Sequence, residues 1–249
     1  MAKMLDKNRS LLFNVPIDTI KEDDIDEKIK SFASSNEPRQ ICFLSFRGYL
    51  RAKLSYNYWS MLNQAALVIP VSKSLVNAVK FLKKGEPVRY MPFEFIIRLL
   101  GALEKQKETL YLVGSDAERL QKSWNNLKDS FPGIRIIGRH VGKFKRQQEI
   151  NIITAIQKAE PSCILTGKSV PKNEKWVHAL KKKVKSGIMI YDKHCYDIFS
   201  GKRRKPNKKL WNAGLEHLFS ALFFPLKWLL IFPYFIFSIQ LLFARIRGR

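Results

Sequence analysis

The chain has 249 residues, 46% of them hydrophobic, which suffices for one large domain with or without an appendage and excludes wholesale disorder. Lys and Arg number 45 against 21 Asp and Glu, and the formal charge of +24 implies an anionic partner: nucleic acid, an acidic membrane surface or a phosphorylated substrate. Three cysteines (Cys42, Cys163 and Cys195) are too few and too scattered for a disulfide framework or a zinc site, and their apolar surroundings suit a reduced, intracellular chain.

Near the N-terminus, Leu11-Leu12-Phe13 is cut short by Asn14 and Pro16, so no secretory segment is expected. Asp24-Ile25-Asp26 has the form of a metal-binding Asp-x-Asp. It follows Lys21-Glu22-Asp23 with no apolar strand before it, and reads as a solvated helix start instead. Short β-rich runs then recur at Gln40–Leu44, Leu67–Val71, Thr109–Val113, Ile134–Ile137, Cys163–Thr166 and Ile188–Tyr191. Helical patterns separate them at Phe93–Lys107, Asp116–Ser130, Gln147–Glu160 and Glu174–Lys185. This alternation specifies an α/β fold, a Rossmann-like parallel sheet flanked by helices, whose ligands bind beyond the carboxyl ends of the strands.

Each strand is therefore read for the loop it feeds. After Val113, Gly114-Ser115-Asp116 opens a helix whose N-terminus would suit phosphate, or is simply capped by Ser or Asp. Gly138-Arg139-His140-Val141-Gly142-Lys143-Phe144 sets a histidine between two cations and two glycines. Gly167-Lys168-Ser169-Val170-Pro171-Lys172-Asn173-Glu174 places Pro171 at a helix start, with Lys168 and Lys172 turned toward an anionic group. Tyr191-Asp192-Lys193-His194-Cys195-Tyr196-Asp197 holds two carboxylates among aromatics.

The C-terminus changes character. A basic linker at Gly201–Lys209 begins a second region, 201–249, after an α/β domain of 1–200. From Leu218 to Ala244 the sole ionisable side chain is Lys227, followed by Trp228, and the chain closes with Arg245, Arg247 and Arg249. Spanning a bilayer takes about 20 apolar residues, and Pro225 and Pro233 interrupt this stretch. With positive clusters at both ends, a hairpin or an in-plane anchor on the cytoplasmic leaflet fits better than a single crossing. The alternative is a buried helix pair closing the core.

The order of these motifs resembles the WecG/TagA/CpsF glycosyltransferases. Phe131-Pro132-Gly133-Ile134-Arg135-Ile136-Ile137-Gly138, with His140, Gly142 and Phe144, is similar to that family's "yPglkivGthdGyf". Pro171-Lys172-Asn173-Glu174-Lys175-Trp176 is similar to "PkQEkW", Tyr196-Asp197-Ile198-Phe199-Ser200-Gly201 to "fDflaG", and Gly214-Leu215-Glu216 to the start of "GLEW". The resemblance covers most of the chain. It implies transfer of N-acetylmannosamine or a related sugar from a UDP-sugar donor to a polyprenyl-diphosphate-linked acceptor, metal-independent and inverting, with no cofactor. It also implies a C-terminal appendage that meets anionic membrane lipids, and self-association as homo-oligomers.

Departures are concentrated in the first half. Phe43 and Ser45 stand at the Thr and Asn of "ivTxN", Val71-Ser72 at the "DG" whose Asp is the family's proposed base, and Pro92-Phe93-Glu94-Phe95 at "GxDL". Valine cannot accept a proton, and general-base help contributes about 10²–10⁴-fold, so Glu94 is the substitute candidate for that role. Gly114, Arg139, His140, Gly142, Lys168, Pro171, Lys172, Asn173, Glu174, Asp197 and Lys205 are the candidate substrate contacts. Lys168, Lys172, Arg139 and the Lys202–Lys205 run would neutralise the departing diphosphate, while Glu174 and Asp197 accept hydrogen bonds from donor hydroxyls. Lys227, Trp228, Arg245 and Arg247 are the membrane candidates. A second reading is a catalytically silent member that binds a sugar nucleotide or scaffolds glycan assembly. Nucleic-acid binding is not expected, because the basic residues follow the apolar tail and Lys181–Lys185 without a recognised motif.

Overall fold

The computed structural model describes residues 9–214 and 231–248. A two-stranded antiparallel hairpin comes first, β1 (Arg9–Leu12) and β2 (Val15–Asp18). Its turn residues Phe13 and Asn14 both have positive φ, 46° and 70°, the geometry that matches the twist of a tight hairpin. Asp18 is buried, pairs with Arg9 at 2.6 Å and also accepts from the Val68 peptide N–H at 2.5 Å, fixing the hairpin to the main sheet.

The main sheet has six strands, all parallel: β3 (Arg39–Leu44), β4 (Leu67–Pro70), β5 (Thr109–Val113), β6 (Arg135–His140), β7 (Cys163–Thr166) and β8 (Ile188–Tyr191), in the spatial order β4-β3-β8-β7-β5-β6. Strict alternation of side chains divides the core. Ile41, Leu67, Leu110, Leu112, Cys163, Leu165, Ile188 and Ile190 point to one face, where α1 (Ile25–Ala33), α5 (Pro92–Lys105), α6 (Ala117–Ser130) and the short α9 (Cys195–Phe199) cover them. Val68, Tyr111, Val113, Ile164 and Met189 point to the other face, under α2 (Phe46–Leu54), α3 (Tyr56–Asn63), α4 (Lys73–Phe81), α7 (Arg146–Ala159) and α8 (Glu174–Lys181). Both faces being buried, the strands are near-continuous apolar runs. Connections running toward the β4 edge cross the second face and those running toward the β6 edge cross the first. One handedness therefore holds throughout, as strand twist requires.

The parallel sheet flanked by helices agrees with the sequence reading, and several boundaries move. β6 runs on to His140, so Gly138, Arg139 and His140 belong to an edge strand and not to the loop after it. Alternation then sends Arg139 and His140 to opposite faces. The helix after β7 starts at Glu174, leaving Pro171 in a preceding turn and not at the helix start, and it ends at Lys181 in place of Lys185. Asp24 is the N-cap of α1, Ile25 is buried and Asp26 accepts from Arg98 at 2.8 Å, in keeping with a helix start.

After α9 the chain passes through the basic segment to α10 (Lys208–Ala213). Lys227, Trp228 and the first part of the apolar run, residues 218–230, lie outside the described residues. α11 (Ile231–Ile246) is described and lies on the second face: Phe237 is buried against Phe46 and Tyr49, and Tyr234 stacks on Phe46 with ring centroids 3.8 Å apart. Its sixteen residues span about 24 Å at 1.5 Å each. No helix among the described residues is long and apolar enough to cross a membrane.

Candidate functional site

The loops at the carboxyl ends of β5, β6 and β7 are sewn together through their backbones. Gly114 N–H donates to His140 O at 2.9 Å, Ser115 N–H to Lys168 O at 2.7 Å, Gly142 N–H to Ser115 O at 2.9 Å and Gly167 N–H to Val113 O at 2.8 Å. Glycine is required at these approaches. A Cβ on Gly114, whose φ is +135°, would lie 2.7 Å from Gly167 N, and one on Gly167 would lie 2.2 Å from the Tyr196 ring. These N–H groups are taken up within the loops, and Asp116 caps α6 by accepting from Arg119 N at 3.0 Å. Gly114 and Gly142 thus build a close-packed backbone floor at the ends of these strands.

Side chains supply the polar surface above that floor. Lys168 Nζ reaches both oxygens of Asp197, at 2.7 and 3.0 Å, and Arg119 lies 3.6 Å from the same carboxylate. Burial pushes the Asp197 carboxyl up, but the Lys168 hydrogen bonds and the Lys168 and Arg119 charges outweigh it, so its pKa is lowered. His194 turns Nδ1 toward the same group, 3.8 Å from Asp197 Oδ2. Burial, reinforced by Arg203 and Lys193, lowers the pKa of the imidazole. Asp192, at the end of central strand β8, accepts from the His194 peptide N–H at 2.8 Å, and burial raises its carboxyl pKa.

A second carboxylate stands across β8 from this cluster. Glu174, the first residue of α8, pairs with Arg51 of α2 at 3.2 Å and accepts from the Tyr58 hydroxyl, with Arg51 stacked 4.4 Å from the Tyr58 ring centroid. Burial raises its pKa despite both partners. The loop that presents it is contorted: Ser169, Lys172 and Asn173 have φ of 74°, 56° and 50°, and Asn173 sits at ψ −125°. Strained non-glycine backbone of this kind gathers at ligand sites. Two buried hydroxyls, Ser115 Oγ and Thr166 Oγ1, lie at the ends of β5 and β7 without a hydrogen-bond partner.

The remaining sequence candidates are dispersed around this centre. Arg139 stacks on Trp124 of α6, 4.8 Å from the ring centroid. His140 donates from Nδ1 to Val141 O at 2.9 Å and meets Phe144 edge-on. Lys172 is exposed, as is Glu94 in the first turn of α5. Lys205 lies 5.4 Å from the ring centroid of Phe93, itself packed on Phe199. At the far edge, Arg89 donates to the carbonyls of Val71 and Trp211 and stacks on the Trp211 ring, so α10 lies over the loop after β4. Arg51, Tyr58, His194 and Arg119 were not singled out from sequence, and Asp192 was noted only as one of two carboxylates among aromatics. Arg51 and Tyr58 meet Glu174 from 123 and 116 positions away, with no local signal to mark them.

Lys143, Lys145, Lys168, Lys172, Lys193 and the Lys202–Lys205 run all occupy segments that follow β6, β7 and β8, giving this end of the sheet a cationic rim. Among the described residues, no three His, Cys, Asp or Glu side chains form a metal-holding group. The arrangement can hold an anion against lysines and hydroxyls and can accept a proton on a neutral imidazole.

The model of the glycosyl transferase WecG/TagA/CpsF family matches residues 10–249. Among curated proteins, the N-acetylglucosaminyldiphosphoundecaprenol N-acetyl-beta-D-mannosaminyltransferase of Bacillus subtilis (strain 168) is 21% identical over 212 residues, 85% of this chain and 79% of that protein. The protein of the same description from Bacillus spizizenii (strain ATCC 23059 / NRRL B-14472 / W23) is 22% identical over 171 residues, 69% of this chain and 66% of that protein.

Proposed function

Because the chain belongs to the WecG/TagA/CpsF family of glycosyltransferases, we propose that it transfers an N-acetylmannosamine-like sugar from a UDP-sugar to a polyprenyl-diphosphate-linked glycan in cell-envelope polysaccharide synthesis. The observation that carries this reading is the cationic rim around Lys168 and Asp197 at the carboxyl ends of β6 to β8. Cleavage of the donor leaves negative charge on a diphosphate, and fixed cations in a partly buried crevice stabilise it as it develops. Lys168 is held by Asp197 and would be shared with the phosphate oxygens when donor binds. Glu174, flanked by Tyr58 and Arg51, has acceptor oxygens for ribose or sugar hydroxyls. The reaction needs no metal in this scheme and inverts the anomeric centre by direct displacement.

The acceptor is a lipid, and α11 favours work at a membrane surface, on its cytoplasmic face. Phe232, Phe235, Ile236, Ile239, Leu242, Phe243 and Ile246 line its outer side and are exposed, while Phe237 holds its inner side to the body. Spacings of three and four make one apolar stripe, and Arg245 and Arg247 stand at its end. Such a helix suits the plane of an anionic leaflet, which supports a reading in which the lipid-linked acceptor is met at that surface.

Product analysis tests the reading. UDP-N-acetylmannosamine with a short-chain polyprenyl-diphosphate N-acetylglucosamine should give a disaccharide lipid in the presence of EDTA. Donor binding without hydrolysis or transfer would favour the second reading, a silent sugar-nucleotide-binding member. What favours that reading is that neither β3 nor β4 delivers a carboxylate into its following loop (Ser45-Phe46 and Val71-Ser72).

A further inference from the structure

Attack by an acceptor hydroxyl needs a group to take its proton, and the residues at the carboxyl ends of the strands can be taken one by one. Asp116 is engaged as the cap of α6 and by Arg119 at 2.9 Å. Asp197 is held by Lys168 and Arg119, which makes it a poor base. Glu174 is held by Arg51 and Tyr58, and Asp192 faces the His194 peptide N–H. His140 stands at the edge of the sheet with Nδ1 donating to a backbone carbonyl, which offers an imidazolium no counter-charge.

His194 differs in each respect. It follows central strand β8, between the loops of β3 and β7. Its Nδ1 is buried and lies 3.8 Å from Asp197 Oδ2, yet its side chain is 38% exposed, so the accessible edge of the ring is the opposite one, which carries Nε2. The groups that face it are Asp197 from α9, Asp192 and Lys193 from the β8–α9 loop and Arg203 from the segment after α9. Lys168 and Arg119 reach it through Asp197. A carboxylate 3.8 Å behind one imidazole nitrogen, with the other nitrogen open, stabilises the cation formed when the open nitrogen takes a proton.

We propose that His194 is the general base of the transfer, with Asp197 as its positioning residue. This rests on the transferase reading above. In the step, the acceptor hydroxyl oxygen forms a bond to the anomeric carbon of the sugar. The bond from that carbon to the diphosphate oxygen breaks, its electron pair leaving on UDP, and the hydroxyl proton passes to His194 Nε2. Asp197 balances the imidazolium until the proton is lost to water.

The experiment measures transfer across pH with the full chain, a UDP-sugar and the lipid-linked acceptor, together with UDP affinity by calorimetry. His194→Gln should lower kcat by about 10²–10⁴-fold, keep the UDP dissociation constant within about twofold, and abolish the acidic limb of the kcat/KM profile. Asp197→Asn should shift that limb to lower pH, because removing the carboxylate makes the imidazole harder to protonate. His194→Asn, read for the same limb, covers the case in which the Gln variant does not fold. An unchanged rate and profile in His194→Gln overturns the assignment, as does loss of the limb in Glu94→Gln while His194→Gln retains it. Absence of transfer by the unsubstituted chain removes the transferase reading and the assignment with it. Transfer with an unaltered His194→Gln profile removes the assignment alone.

Discussion

Partly buried carboxylates of opposite tendency share this site, and they give it an uneven response to pH. Asp197 has a pKa below its unfolded value, so its stabilising effect is present at neutral pH and is lost as pH falls through the folded value. Asp192 has a raised pKa, because burial opposes its ionisation. Its folded form therefore holds the proton longer, and stability declines as pH rises through the unfolded value toward the folded one. Asp192→Asn should raise the urea midpoint at pH 7 and leave it nearly unchanged near pH 3, where the Asp192 carboxyl is largely protonated in the folded and the unfolded chain alike. Gly167→Ala should cost about 1–3 kcal/mol by urea denaturation, because the added methyl meets the Tyr196 ring at 2.2 Å. Much of this neighbourhood could be read from the chain: the strand ends and glycines fixed which loops converge, and Lys168 and Asp197 were both singled out. Their pairing was not legible, since 29 residues and a helix separate them.

At the level of elements, the sequence pattern was strongest where apolar periodicity ran long and weakest where elements were short. The six parallel strands and the helices on either side of β5 to β7 stand close to their expected ranges. The β1–β2 hairpin was overlooked, because Leu11-Leu12-Phe13 was weighed as a truncated leader and a bulky Phe at positive φ is no turn signal. Helices α2 and α3 carry usable cues at Ser45 and Ser55, whose hydroxyls accept from Gly48 N and Tyr58 N. Asp18 bears the hairpin's attachment, so Asp18→Ala should cost about 3 kcal/mol in global stability, because the largely buried Arg9 loses its counter-charge and the Val68 peptide N–H loses its acceptor. On the second face, Phe237→Ala should cost about 3 kcal/mol by opening a cavity under α11. The same change at exposed Phe235 should leave the melting midpoint within a degree or two.

For the molecule as a whole, two features are placed on one body: a cationic crevice at the carboxyl end of the sheet and an apolar stripe along α11. Replacing Phe235, Ile239 and Leu242 together by Ser should abolish sedimentation with vesicles containing anionic lipid, while UDP affinity stays the same. Retention of the unsubstituted chain on such vesicles should weaken as salt rises, since the flanking charges are screened. The account as a whole turns on chemistry at the crevice. Its most direct test is a transfer assay with UDP-N-acetylmannosamine and polyprenyl-diphosphate N-acetylglucosamine, the product's anomeric configuration being read by NMR. The account predicts a β-linked disaccharide lipid formed without added metal, and at least a hundredfold less of it from Lys168→Met. An intact donor after prolonged incubation, or equal turnover by the Lys168 variant, would contradict it.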